Sequence, residues 1–169
     1  IEDELKRHEV RVLSNNGLKA LHGSAEKVTQ VELEDGTRVE ADAVLLSIGV
    51  RPNTQLAKDA GLTIGVTGAI QVDAYQRTSD PDIYAVGDAS EVIHGVSGKA
   101  ARIPLAGPAN RNGRLAGEHA ATETSSAADK VLGTAIVQVF DLAVATTGLG
   151  EKSARDAGFD ADTAYVLPN

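Results

Sequence analysis

The strongest candidate for chemistry in this sequence is a Gly-Asp pair that follows a short apolar run. In the stretch "DIYAVGDAS", Gly87 and Asp88 come directly after a predicted strand at residues 83–86. A carboxylate at the carboxyl end of a buried strand can accept hydrogen bonds from two neighbouring hydroxyls of a ligand in the crevice outside the sheet. A ribose or ribityl chain carries such hydroxyls, and Gly87 allows close approach because it has no Cβ. The pair also occurs in ordinary turns, so by itself it is compatible with a structural role.

A second candidate is the start of the Ala- and Gly-rich segment at residues 105–123. Leucine and alanine recur there at helical intervals, and Pro108 falls in the first turn, where a helix tolerates proline. Free N–H groups of Leu105, Ala106 and Gly107, with the positive end of the helix dipole, would stabilise negative charge on a ligand. An ordinary packing helix explains the same composition equally well.

Other reactive side chains give weaker signals. The chain has no cysteine, which excludes disulfides and thiolate chemistry within it. The four histidines share no metal-ligand spacing, so the sequence predicts no metal site. They are His8, His22, His94 and His119.

The composition narrows the classes of partner. Acidic side chains outnumber basic ones by 24 to 16, giving a formal charge of −8. Nucleic acids and anionic membranes require a basic surface, so neither is expected as a partner. No run approaches the roughly 20 apolar residues that span a bilayer, and the cytoplasm is the expected compartment.

The elements that would position these residues form a mixed α/β pattern. Alternating runs joined by Asp35-Gly36 predict a β-hairpin, because this dipeptide supplies the positive φ angles of a two-residue turn. The near-continuous apolar run at residues 43–49 is typical of a strand buried on both faces. The remaining predicted elements are the end of a helix at 1–10, strands at 9–14, 70–72, 83–86 and 163–169, a strand-rich segment at 134–149, and helices at 54–62, 105–123 and 150–159.

The stretch "TSDPDIYAVGDA" resembles the second flavin-binding motif of the FAD-dependent pyridine nucleotide-disulfide oxidoreductases. In that family the aspartate at the position of Asp88 holds a ribityl hydroxyl of FAD. The matching residues are Thr78, Asp80, Pro81, Ile83, Tyr84, Ala85, Gly87 and Asp88. Three further segments are similar to parts of the family: 44–62 to the end of its NAD(P)H domain, 103–121 to its flavin-facing helix, and 133–149 to the first strands of its dimerisation domain.

The resemblance implies a fold, a domain organisation and further site residues. The fold is a partial two-dinucleotide-binding-domain, Rossmann-like flavoprotein fold with the beginning of an α+β dimerisation domain. The implied boundaries are 1–51 for the end of the NAD(P)H domain, 52–123 for the second part of the FAD domain, and 124–169 for the interface domain. Gly49 would lie against the nicotinamide nucleotide, and Ala106 would contact the flavin. Asn110 stands where coenzyme A-disulfide reductases carry a histidine that touches substrate.

The resemblance is greatest to the single-cysteine subgroup, namely coenzyme A-disulfide reductases, persulfide reductases and NADH oxidases or peroxidases. It implies a homodimeric enzyme that moves hydride from NAD(P)H through FAD to a disulfide, persulfide, peroxide or oxygen acceptor. The sequence contains neither a GxGxxG fingerprint nor the redox cysteine, so we expect a fragment of a longer enzyme that carries no catalytic residue and is inactive alone. Two alternatives remain. One is a ferredoxin- or rubredoxin-reductase-like flavoprotein, although these usually carry a tryptophan after the motif and this chain has none; the other is a non-catalytic interaction module.

Overall fold

The computed structural model describes residues 1–166, which form two compact units. The first unit comprises Ile1–Val50 together with Gln138–Val144, and the second comprises Arg51–Val137 together with the described residues from Ala145 onward. None of the described helices is long and apolar enough to cross a membrane. The three-domain division expected from the sequence stays a prediction.

The first unit opens with helix α1, Glu2–Arg7. Acidic residues occupy its first turn and basic residues its last, which complements the helix dipole. An ion pair between Lys6 Nζ and Glu2 Oε1, 3.0 Å apart, links the two ends. The helix ends at His8, and Glu9 follows with a φ of +59°.

The first unit also contains a three-stranded antiparallel sheet. Its strands β1, Leu18–Gly23, β2, Val28–Leu33, and β3, Arg38–Glu40, pair in chain order. The turn between β2 and β3 has Gly36 at a φ of +86°, and the Thr37 N–H donates to Asp35 Oδ1 at 2.7 Å. The predicted Asp35-Gly36 hairpin is confirmed, whereas β1 was not predicted.

Two strands predicted in this unit are not formed. Residues 9–14 and 43–49 have no strand hydrogen bonding. In the second segment, Leu45 is 91% exposed and Ile48 is 86% exposed. A strand of this kind depends on hydrogen bonds from neighbouring strands. The described chain pairs no strand with this segment, so its apolar run does not form a ladder.

The second unit begins with helix α2, Gln55–Asp59, within the predicted range 54–62. Thr54 is its N-cap residue, although its side chain makes no capping hydrogen bond, and Gly61 follows at a φ of +76°. Residues 70–72 and 83–86 were predicted as strands, and that prediction is wrong. They form only isolated bridges. Ile70 bridges to Ile64 and to Ser90, and Tyr84 bridges to Arg77 across a short loop. A two-residue pair, β4, Val92–Ile93, with β5, Ala100–Ala101, follows.

The elements that follow β5 along the chain include the longest helix and a second hairpin. Helix α3 spans Ala106–Thr122 and confirms the prediction, with Pro108 in its first turn. Strands β6, Ala135–Val139, and β7, Leu142–Thr146, form a hairpin within 134–149, which was predicted to be strand-rich, and helix α4 spans Glu151–Asp156. The predicted strand at 163–169 is absent from 163–166, and its other residues lie outside the described part.

The buried residues of the described chain are few and mostly small or polar. Buried apolar residues are Leu33, Ala57, Ala69, Ala116 and Val131. Buried polar residues are Thr54, Gln76, Ser90, Glu91, His94, Asn112 and His119. All of the buried polar residues lie in the second unit, where hydrogen bonds add to the small apolar core.

Candidate functional site

A hydrogen-bonded loop sets the direction of the segment that leads to Asp88. The Thr78 hydroxyl donates to the Asp80 carbonyl at 3.0 Å, and the Asp82 N–H donates to Asp80 Oδ1 at 3.0 Å. The Thr78 N–H donates to the Ile83 carbonyl at 2.9 Å and so closes the loop. The "TSDPD" residues therefore act as a turn that returns the chain antiparallel to itself, with Arg77 opposite Tyr84.

Gly87 makes the sharp turn that presents Asp88. The segment Gly87–Ala89 is one turn of 3₁₀-helix, and Gly87 has a φ of +82°, a conformation that favours glycine. The N–H and hydroxyl of Ser90 both donate to the Gly87 carbonyl, at 3.1 and 3.0 Å. Asp88 is exposed, so its carboxylate is available to a ligand.

The start of α3 lies against this turn. A Cβ built on Gly87 would meet Ala109 Cβ at 3.9 Å. The N-cap residue Leu105 makes no side-chain capping bond, and within the described chain no acceptor is found for the N–H groups of Ala106 and Gly107. Leu105 was predicted to offer its N–H as well. In the structure this N–H donates to the Ile103 carbonyl at 2.9 Å, and the role of Leu105 in binding a cofactor stays a prediction.

A cavity of about 320 Å³ opens beside the start of α3. One wall is the helix start, including Gly107 and Arg111, and the other is the segment at 130–134. A Cβ added to Gly107 would meet nothing within 4 Å, so the helix start is open on that side. Two free N–H groups at a helix N-terminus and a nearby guanidinium favour a negatively charged or strongly polar acceptor.

The remaining predicted site residues are placed as follows. Asn110 is exposed on α3, one turn after Ala106. Gly49 is exposed at a φ of +90° and belongs to the first unit, whereas Gly87, Asp88 and residues 105–107 belong to the second. The structure thus brings together the Gly87 turn and the start of α3.

Sequence reasoning missed a hydrogen-bonded pair of polar side chains in the second unit, one of which is buried. The Tyr84 hydroxyl and His119 Nδ1 are hydrogen-bonded at 2.8 Å, and His119 is only 7% exposed. The Tyr75 ring stacks on His119, with ring centroids 4.7 Å apart. Asn112, Ala116 and His119 are the buried residues of α3, and this spacing of four and three residues was the available signal.

An ion pair borders these rings. Arg77 Nε lies 2.9 Å from Asp73 Oδ2, and the Arg77 guanidinium lies 5.7 Å from the Tyr75 ring centroid. Burial alone would raise the pKa of Asp73. Hydrogen bonds from the backbone N–H groups of Arg77 and Tyr75 and from the Arg77 side chain outweigh burial, so the pKa lies below its ordinary value.

Comparison with known proteins shows the family to which the chain belongs. The pyridine nucleotide-disulphide oxidoreductase family matches residues 1–113, about two thirds of the chain. The chain belongs to this family. Its members are FAD-dependent oxidoreductases that use NAD(P)H. The match includes Gly49, the Gly87 turn, Asp88 and the start of α3.

Individual relatives match over nearly the whole chain. An NAD(P)H sulfur oxidoreductase (CoA-dependent) of Pyrococcus furiosus is 37% identical over 169 residues, which cover 100% of this chain and 37% of the relative. The structure of an NAD-dependent persulfide reductase from A. fulgidus superposes with a TM-score of 0.89 at 39% identity, over 94% of this chain and 29% of that one. A FAD-dependent pyridine nucleotide-disulphide oxidoreductase from Desulfovibrio vulgaris gives a TM-score of 0.88 at 37% identity, over 95% and 40%. The chain therefore spans roughly a third of the length of the curated relatives it matches.

Proposed function

We propose that this chain supplies the flavin-ring and ribityl half of the FAD site in an NAD(P)H-dependent flavoprotein reductase. The observation that carries the proposal is the contact between the Gly87 turn and the start of α3, which places an exposed carboxylate near two N–H groups without acceptors. The family of the chain is FAD-dependent, and these residue types suit the two polar parts of that cofactor.

Each part of the proposed site has a separate role. The Asp88 carboxylate accepts a hydrogen bond from a ribityl hydroxyl, and Gly87 leaves room for the ribityl chain. The N–H groups of Ala106 and Gly107 donate to the pyrimidine edge of the flavin ring, and the helix dipole favours the negative charge of the reduced form. Gly49, in the first unit, lies against the nicotinamide nucleotide, and Asn110 is near the acceptor.

In the complete enzyme, bound FAD would carry hydride equivalents from NAD(P)H to a small acceptor. We propose a disulfide, persulfide, peroxide or oxygen as that acceptor, a homodimer as the working assembly, and a redox cysteine outside this sequence. The residues of this chain bind and orient the flavin and polarise its ring, and none of them is a nucleophile for sulfur. On this proposal the chain alone is inactive. A ferredoxin-reductase-like function is the second candidate, but the absence of tryptophan disfavours it.

The test uses FMN, which carries the flavin ring and the ribityl chain, and ADP, which carries the other half of FAD. In ¹H–¹⁵N NMR titrations of the protein at up to millimolar ligand, we expect FMN to shift the amide signals of Gly87, Asp88, Ala106 and Gly107. ADP leaves those signals unchanged. FMN shifts that map elsewhere, or an absence of shifts, would refute the proposed site.

A matched pair of variants tests the role of the carboxylate. Asp88→Asn removes the charge from the hydrogen bond to the ribityl chain, which is worth about 1.5 kcal/mol, so we expect FMN affinity to fall roughly tenfold. Asp82→Asn removes another exposed carboxylate from the same loop and leaves the affinity unchanged. Equal effects of the two substitutions would contradict a specific role for Asp88.

A further inference from the structure

Three side chains that can bind a metal ion meet in the first unit, whereas the proposed flavin-ring and ribityl site belongs to the second. Glu4 lies on α1, His8 caps the end of that helix, and Asp141 lies in the turn between β6 and β7. One ligand atom from each lies within 4.8 Å of the other two. His8 Nε2 and Glu4 Oε1 are 3.3 Å apart.

We propose that Glu4, His8 and Asp141 form a binding site for a divalent transition-metal ion of the Zn²⁺ class. One imidazole nitrogen and two carboxylate oxygens are a ligand set that Zn²⁺ accepts, with the fourth position open to water. The imidazole distinguishes this site from those of Mg²⁺ and Ca²⁺, which take oxygen ligands.

The three side chains need little rearrangement to bind an ion. Two ligands about 2.1 Å from a tetrahedral ion are about 3.4 Å apart, close to the 3.3 Å between His8 Nε2 and Glu4 Oε1. Three atoms that lie within 4.8 Å of one another always leave a point within about 2.8 Å of all of them, against ligand distances of about 2.0–2.2 Å for bound Zn²⁺. Rotation of the exposed Asp141 side chain covers most of that difference.

Packing holds two of the ligands in place before any ion binds. The His8 ring stacks on Phe140, with centroids 3.7 Å apart and planes 13° apart. Phe140 immediately precedes Asp141, so the same stack brings the third ligand to the helix end. The Glu4 side chain is only 11% exposed, which limits its freedom to turn away.

A second histidine-carboxylate pair in the same unit shows why charge favours this cluster. His22 Nε2 lies 2.7 Å from Glu32 Oε2, but Lys19 and Arg38 also bind Glu32, at 2.7 and 3.2 Å. Two cations already neutralise that one carboxylate. At the proposed site two carboxylates face one cation, Arg7, whose Nη1 lies 3.3 Å from Glu4 Oε2. The proposed site therefore retains negative charge for an ion.

The experiment is a calorimetric titration of the protein with Zn²⁺ near neutral pH, in the presence of excess Mg²⁺. We expect saturable binding of one ion per chain. In NMR, the ring signals of His8 should shift and those of His22 should stay unchanged. His8→Asn and Asp141→Asn each lower the Zn²⁺ affinity roughly tenfold or more, because each removes a ligand. His22→Asn is the matched control and leaves the affinity unchanged.

Arg7→Gln provides a test that damage to the fold cannot imitate. Arg7 competes with the ion for Glu4, so its removal raises the Zn²⁺ affinity several-fold. The proposal is overturned if Zn²⁺ shows no saturable binding. It is equally overturned if His8→Asn and His22→Asn have the same effect, or if Arg7→Gln weakens binding in a protein whose circular dichroism is unchanged.

Discussion

The hydrogen bond between Tyr84 and His119 is expected to stabilise the second unit measurably. It joins the segment before Gly87 to the last turn of α3, through a histidine that is 7% exposed. Tyr84→Phe removes the hydroxyl and leaves His119 Nδ1 without its partner. A buried polar atom deprived of its partner costs about 1–3 kcal/mol, and since this bond is only partly buried we expect about 1–2 kcal/mol of lost stability.

Tyr75 provides the matched comparison for this prediction. Its ring also contacts His119, but within the described residues its hydroxyl makes no hydrogen bond. Tyr75→Phe therefore keeps the stack, removes the same atom, and should change the free energy of unfolding by less than about 0.5 kcal/mol.

Urea unfolding followed by far-UV circular dichroism measures both variants, since α3 is the longest helix and loses its signal on unfolding. A double-mutant cycle of Tyr84→Phe with His119→Leu should give a coupling energy of about 1 kcal/mol. If the two tyrosine variants lose equal stability, or if the coupling is below about 0.3 kcal/mol, the bond does not contribute as described.

Two other predictions concern a glycine pair and an acidic side chain. Gly87→Ala forces alanine to a φ of +82° and should lower the free energy of unfolding by about 1–2 kcal/mol. Gly117→Ala, on the exposed face of α3, should raise the free energy of unfolding by about 0.5–1 kcal/mol. The urea midpoint should therefore shift down in the first variant and up in the second. Hydrogen bonds from Lys19 and His22 lower the pKa of Glu32 from 4.5 to about 2, so the stability it contributes is present above pH 4.5 and is lost as the pH falls towards 2. The urea midpoint should fall less steeply over that pH range in Glu32→Gln than in the parent protein, and parallel curves would show that Glu32 contributes nothing.

Local sequence signals predicted the elements that depend on local interactions. Asp35-Gly36 specifies its hairpin because the turn geometry and the alternating flanks lie within a dozen residues. Helix α3 was predictable from its own periodicity and from Pro108. The run at residues 43–49 failed as a strand because a ladder depends on partners far along the chain, and composition carries no information about whether they are present.

The same distinction between local and distant interactions applies to the candidate sites. The turn at Gly87 and the exposure of Asp88 follow from local sequence, and the motif marked both. The hydrogen bond from Leu105 to Ile103 depends on the exact path of the chain into α3, which no residue type specifies. The meeting of His8 with Asp141 depends on how the β6–β7 hairpin packs, so a search for short histidine spacings could not find it.

The apolar run at residues 43–49, which forms no strand ladder, has a practical consequence for handling the protein. Its apolar side chains, including Leu45 and Ile48, face solvent, and an exposed apolar segment outside a sheet is a place where β-aggregation begins. The net charge of −8 opposes such self-association by mutual repulsion between molecules. Because salt screens that repulsion within roughly 10 Å at 0.1 M, the colloidal stability of the protein should fall as ionic strength rises.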